Sequence, residues 1–130
     1  KEKLSDYVCF LGYRNDSLEI LKCLDFYISP SLSEGLPISI LEALACGIPT
    51  IATEIPGNKD ILCNSVFGVL AQANSPKALS RGIMKMIQLT QGERDIISKN
   101  AYIRIKRNFS INEMVLKTET LYKHVLQKYA

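Results

Sequence analysis

The sequence predicts an α/β domain, an open parallel sheet flanked by helices, on three observations. Short apolar runs rich in β-branched and aromatic residues alternate with stretches of helical periodicity as far as Leu70. Glycine, proline or serine punctuates most of the changes between them. Beyond Leu70 the pattern is helical only. Alternation of this kind calls for parallel strands joined by right-handed helical crossovers.

Each element follows from its own residues. Tyr7-Val8-Cys9-Phe10-Leu11-Gly12 reads as the first strand, closed by Gly12. Asp16 and Glu19 have capping-box spacing and open a short helix whose apolar stripe is Leu18, Leu21 and Leu24. Phe26-Tyr27-Ile28-Ser29 is a short buried strand, and Pro30, Ser31, Ser33 and Gly35 break regular structure after it. Pro37 suits the first helical position, where its missing N–H has no internal partner to lose. Ile38, Leu41, Leu44 and Ala45 carry that helix to Cys46, and Gly47 ends it. Pro49 to Ala52 is the third strand, Asn58 to Leu62 a short helix, and Ser65 to Leu70 the fourth strand. Ser75 caps and Pro76 opens a helix faced by Leu79, Ile83, Met86 and Ile87, and Gln91-Gly92 breaks it. Glu93 to Asn108 is another helix, and Ser110 or Asn112 starts the last, through Val115, Leu121, Tyr122, Val125 and Leu126. With no repeat and no linker, residues 1–130 read as a single domain with C-terminal helices from about 75 to 129.

Composition excludes several classes. A length of 130 residues suits one domain with a real core. A net charge of +3, without a basic patch interleaved with aromatics, argues against a dedicated nucleic-acid binder. Cys9, Cys23, Cys46 and Cys63 have no C-x-x-C spacing, and three of them sit in apolar settings, so they read as reduced core residues of a cytosolic protein. No signal peptide and no long apolar span is present. The chain has no initiator Met and reads as a piece of a larger protein. Neither G-x-x-x-x-G-K nor G-x-G-x-x-G occurs, which argues against a P-loop or a nicotinamide-binding turn.

The stretch that carries chemistry is Ser33-Glu34-Gly35-Leu36-Pro37-Ile38-Ser39-Ile40-Leu41-Glu42-Ala43. It places Glu34 in a loop at the mouth of a helix and Glu42 inside that helix, both able to face one crevice above the carboxyl end of a strand, where open α/β sheets bind ligands. Free N–H groups of Gly35, Leu36 and the first helical turn form a partial positive pole suited to phosphate, and Pro37 removes one donor from it. Carboxylates accept hydrogen bonds from hydroxyl groups. Two of them flanking an anion pole suit a phosphate between two polyhydroxyl parts, which is the layout of a nucleotide sugar. The plainer alternative makes Glu34 a loop acid that stabilises the helix start and Glu42 a solvated helix residue.

The neighbouring words add to this. Glu34-Gly35-Leu36-Pro37, Leu41-Glu42-Ala43, Gly47-Ile48-Pro49-Thr50-Ile51-Ala52-Thr53 and Gly57 follow in order, and together they resemble the glycosyltransferase group 1 family. Val8 to Gly12 is similar to that family's V-x-F-x-G segment, Asp25 to Ser31 to its D-x-x-x-x-P-S strand, and Phe109-Ser110 and Tyr122 to its closing helix. The resemblance implies that residues 1–130 are a partial Rossmann-like, nucleotide-sugar-binding domain, the C-terminal, donor-binding half of a GT-B fold truncated at its N-terminal end, and a retaining transfer of sugar from a nucleotide-diphosphate donor to an acceptor hydroxyl. Its E-x7-E signature falls on Glu34 and Glu42. It implies that Glu34 is the catalytic carboxylate, binding donor sugar hydroxyls and stabilising charge there, and that Glu42 holds the ribose. Gly35, Leu36 and Pro37 would meet the diphosphate, Leu11 and Gly12 the base, and Gly57 would sit near the donor sugar or its diphosphate. Asp60 stands where the family's G-x-x-E turn has Glu, with a shorter reach. No required metal or cofactor is implied.

The expected partners are a nucleotide sugar, a glycan or lipid-linked acceptor in cell-envelope polysaccharide synthesis, and an N-terminal domain of the intact chain. The segment expected to supply an Arg and a Lys to the diphosphate is absent, so the chain alone is expected to bind donor weakly and to turn nothing over. Two alternatives stay open: another GT-B enzyme, such as a phosphorylase or nucleotide-sugar epimerase, or a non-catalytic nucleotide- or partner-binding module. Arg104, Lys106 and Arg107 read either as a contact for anionic lipid at the inner face of the membrane or as a charged helix end. His124 lies on the solvated face of the last helix, and Thr53 offers a hydroxyl near the crevice or serves a turn.

Overall fold

The computed structural model describes residues 4–129. Within them lie α1 (Ser17–Leu21), β1 (Tyr27–Ser29), α2 (Ile38–Ala45), β2 (Thr50–Thr53), α3 (Pro56–Leu62), β3 (Val69–Ala71), α4 (Pro76–Gln88), α5 (Gln91–Asn108) and α6 (Ile111–Tyr129). The strands form a parallel sheet in the order β1-β2-β3, with Ile28 beside Ile51 and Ile51 beside Val69. Strand β2 is central and buried along its whole length. Because side chains alternate across a strand, Ile51 and Ala52 face opposite ways. Ala52 joins Ile40 and Leu44 of α2, Ile61 and Leu62 of α3, and Ala101 and Ile105 of α5 in one core. Ile51 joins Val69 and Met86 of α4 in another. Helix α4 lies close to the sheet at Gly82, where a Cβ would stand 3.3 Å from Val69 Cγ1 and 3.4 Å from Ile51 Cγ2.

Several expectations hold at the level of single residues. The Ser75 hydroxyl accepts from the Ala78 N–H at the start of α4, and that of Ser110 from the Glu113 N–H at the start of α6. His124 is solvent-exposed on α6.

Other expectations are corrected. Tyr7 to Gly12 forms no strand: Phe10 is 93% exposed, and among the described residues no strand pairs with this segment. A strand is stable only when a neighbour takes up its N–H and C=O groups, which apolar content alone does not supply. The last strand begins at Val69 rather than Ser65, because Cys63, Asn64 and Ser65 all take positive φ and cannot extend. Pro37 is the residue before α2, not its first residue, since its ψ of 96° is extended. The expected Asp16–Glu19 capping box is absent: Arg14 Nε donates to Asp16 Oδ1 at 2.7 Å, and Lys22 Nζ donates to Glu19 Oε1 at 2.8 Å. The break after α4 falls at Leu89-Thr90, and Gln91-Gly92 instead opens α5, behind a full capping box of Thr90 and Glu93. Cys9, Cys23 and Cys63 are exposed and only Cys46 is half-buried, so the cysteines are not core residues.

Candidate functional site

The loop from Pro30 to Pro37 leaves the carboxyl end of β1 and feeds α2. A proline at the N-cap has no side-chain oxygen to cap the helix, and the first amide bonded back into α2 is that of Ile40, to Pro37 O at 3.1 Å. The amides of Ile38 and Ser39 are therefore left outside the helical ladder, at its positive end. From Leu32 to Leu36 the loop is exposed, and nothing lies within 4 Å of where a Gly35 Cβ would be.

Glu34 is not free in this loop. Ser31 Oγ donates to Glu34 Oε1 at 2.8 Å. The Thr53 hydroxyl donates to Ser31 O, so the hydroxyl expected near the crevice is used to hold the loop. Gly57, in the first turn of α3, lies directly beneath: a Cβ there would stand 2.2 Å from Gly35 O and 3.0 Å from Glu34 O. Only glycine permits that approach of two backbones. Behind it Asn58, fully buried, donates from Nδ2 to Thr53 O at 2.8 Å and to Thr53 Oγ1 at 3.3 Å.

Half-buried Glu42 lines a hollow of about 390 Å3 with Leu11, Gly12, Tyr13, Arg14 and Ser39. Leu11, Gly12 and Glu42, three of the residues singled out by sequence, thus share one cavity. Tyr13 and Arg14, which the sequence reading passed over, also line it; lying next to Gly12, they were readable as its continuation. The Asp16 carboxylate beside Arg14 raises the guanidinium pKa further, and Arg14 holds the Asp16 carboxyl below its ordinary value. A second hollow, of about 200 Å3, opens where the strands end, between Pro30, Leu32, Thr53 and Gln72. The Glu34 loop forms a wall of it. Glu34 and Glu42 therefore do not share one crevice as expected: Glu42 lines the first hollow, and Glu34, drawn back by Ser31, lines neither.

The remaining candidates have structural tasks. The Asp60 side chain is exposed, and its carbonyl accepts from Arg104 Nη2 at 2.8 Å, while Ile61 O accepts from Arg104 Nε at 3.1 Å. Arg104 also lies 5.1 Å from the Phe67 ring centroid. Of the basic run only Lys106 and Arg107 stay exposed, because Arg104 closes the last turn of α3 onto α5. A larger cleft, about 430 Å3, opens at the opposite end of the sheet, beside Asp25, Phe26 and Pro49. Its polar groups already engage one another: Arg94 Nη2 donates to Gln91 Oε1 at 3.1 Å and Gln91 Nε2 to Asp95 Oδ1 at 2.7 Å.

A parallel sheet with a hollow at its carboxyl ends, a second hollow between α1 and α2 beside its edge strand, and an acid-bearing strand-to-helix loop defines a class, the α/β ligand-binding domains. Residues 1–104 match the family described as glycosyl transferases group 1, and the chain belongs to that family. It is 36% identical, over 120 residues, to the Escherichia coli UDP-Gal:alpha-D-GlcNAc-diphosphoundecaprenol alpha-1,3-galactosyltransferase, covering 92% of this chain and 30% of that protein. It is 34% identical over 84 residues to the Campylobacter jejuni N,N'-diacetylbacillosaminyl-diphospho-undecaprenol alpha-1,3-N-acetylgalactosaminyltransferase, covering 65% of this chain and 22% of that one. Among solved structures it is similar to a glycosyltransferase from Rickettsia africae, with a TM-score of 0.88 and 28% identity over 95% of this chain and 33% of the other. The chain thus spans a third or less of each of these relatives. No helix among the described residues is long and apolar enough to cross a membrane.

Proposed function

We propose that this domain holds the nucleotide-sugar donor of a retaining hexosyltransferase. The intact enzyme would pass the sugar to a hydroxyl of a glycan or lipid-linked acceptor at the cytoplasmic face of the membrane. The observation that carries the reading is the junction of β1 and α2: an uncapped helix end, the Glu34 loop before it, and the hollow of Leu11, Gly12 and Glu42 beside it. The hollow takes the nucleoside, with backbone of Leu11 and Gly12 toward the base and Glu42 accepting from ribose hydroxyls. The diphosphate lies at Gly35, Leu36 and Pro37, facing the amides of Ile38 and Ser39, where a helix end offers roughly half a positive charge. The Glu34 carboxylate accepts from sugar hydroxyls and stabilises positive charge that develops as the sugar leaves the phosphate. Gly57 keeps the loop at its height. The E. coli relative is named for UDP-Gal as donor and a diphosphoundecaprenol-linked acceptor, which makes UDP-galactose the first donor to test.

The test is sugar transfer by the whole enzyme. Glu34→Gln keeps the shape and removes the charge, and kcat is expected to fall about a hundredfold or more at unchanged melting temperature. Unchanged kcat removes Glu34 from the reaction. Metal independence belongs to the same proposal, so activity is expected to survive EDTA. Recovery of a glycoside and free nucleoside diphosphate separates a transferase from a phosphorylase or epimerase, and no turnover with any nucleotide sugar leaves the binding-module reading.

A further inference from the structure

The fold holds Glu34 by a chain of hydrogen bonds that begins in the interior. Its directions are fixed by chemistry. Thr53 O and Ser31 O are carbonyls and can only accept, and an ionised Glu34 carboxylate can only accept. The buried Asn58 amide therefore turns its Nδ2 to Thr53, at 2.8 Å from Thr53 O and 3.3 Å from Thr53 Oγ1. The Thr53 proton must then go to Ser31 O, and the Ser31 proton to Glu34 Oε1 at 2.8 Å. Asn58 and Thr53 are 0% and 4% exposed, so the near end of the chain is rigid, while Ser31 is half-buried and Glu34 exposed. The same turn of α3 presses Gly57 against the backbone of Glu34 and Gly35. One turn thus grips the loop twice, once through backbone contact and once through the carboxylate. This arrangement has a cost on its face, since Asn58 Oδ1 is buried without a partner. An apolar side chain at that position would pack without an orphaned acceptor, and a buried unpaired group in a folded protein calls for a reason.

We propose that Ser31, Thr53 and Asn58 are positioning residues for the Glu34 carboxylate. Ser31 engages Oε1 and leaves Oε2 for the donor sugar, and the buried Asn58–Thr53 pair fixes where Ser31 stands. Without the chain, Glu34 on an exposed loop samples several rotamers, and few of them meet the reacting sugar. The proposal rests on the reading that Glu34 acts on the donor, and the experiment separates the two.

The whole enzyme is assayed for turnover of UDP-galactose as Ser31→Ala, Ser31→Thr, Thr53→Val and Thr53→Ser, each alone and combined with Glu34→Gln, with melting temperatures measured in parallel. Ser31→Ala and Thr53→Val are expected to lower kcat about ten- to a hundredfold with KM for UDP-galactose within about twofold, as misplacement of a reacting group does. Ser31→Thr and Thr53→Ser, which keep the hydroxyl, restore most of the rate. In the Glu34→Gln background the same substitutions add little, because residues acting as a unit are not additive. Full activity in Ser31→Ala beside a crippled Glu34→Gln overturns the positioning role and spares Glu34. An equal further loss in the Glu34→Gln background also overturns it, since Ser31 and Thr53 then act on something else. Full activity in Glu34→Gln overturns the reading of Glu34 itself. Should Thr53→Val melt early, Ser31→Ala on the open loop and the Thr53→Ser rescue still decide the matter.

Discussion

Single residues set the height and direction of the loop after β1. Gly57 is the clearest case, because a methyl group at its Cα would collide with Gly35 O rather than with a side chain that can move aside. Gly57→Ala is therefore expected to destabilise the protein by about 1–3 kcal/mol, the range for forced overpacking. Thermal unfolding measures it, and a melting temperature equal to wild type would show that the two backbones separate freely. Glycine at this position was legible in the sequence, but as a neighbour of the donor. Its packing task depends on a helix start and a loop more than twenty residues apart, which spacing along the chain does not reveal. Asn58 was missed for the same reason: its partners lie on β2, and no local pattern marks an amide that turns inward. Thr53 and Arg104 show the converse. Each offered a polar group to a ligand in the sequence, and in the fold each group is spent on backbone carbonyls.

Elements form where local signals and packing agree. The cap of α4 by Ser75 needs only neighbours in sequence and was readable. The Thr90–Glu93 capping box of α5 is equally local, yet Gly92 between the two residues signals a break. Glycine is tolerated here because the first helical turn is fixed by the reciprocal bonds of the box rather than by propensity. Those bonds set a pH dependence. The Thr90 hydroxyl, and then the Thr90 N–H, hold the Glu93 carboxyl below its ordinary value. A carboxyl with a lowered folded pKa binds its proton more readily when unfolded. The box therefore stabilises the helix above the unfolded pKa, near 4.5, and fails as pH falls through the folded one. In Thr90→Ala the midpoint of Glu93 protonation, read from its carboxyl carbon by NMR, is expected to move up, and helix stability to drop by about 1 kcal/mol. An unmoved midpoint would mean the box does not persist in solution. At Asp16 the opposite happened: capping-box spacing was present, but Arg14 two residues away offered a charged donor that an N-cap amide does not outcompete.

The whole molecule divides into a sheet layered between helices and two flanks that bury little. Ile51, Ala52, Ile61, Leu62 and Met86 are sealed, whereas no residue of α6 is buried and Phe10 and Tyr13 stand open. Native-state hydrogen exchange is therefore expected to be slowest in β2 and α3 and fastest over residues 4–16 and along α6. Protection of α6 equal to that of β2 would contradict this ordering. Alternation of apolar runs with helical stretches was enough to determine a parallel α/β sheet with helical crossovers, three of its strands, and the loop that carries Glu34, because periodicity and turn chemistry are properties of neighbours along the chain. The tertiary structure alone decided that Tyr7 to Gly12 joins no sheet, that Glu42 lines a hollow while Glu34 bonds to Ser31 and lines none, and that Asn58 reaches Thr53 from behind the loop. Pairing, burial and hydrogen-bond partnership are relations between distant segments, and they exist only once those segments share one space.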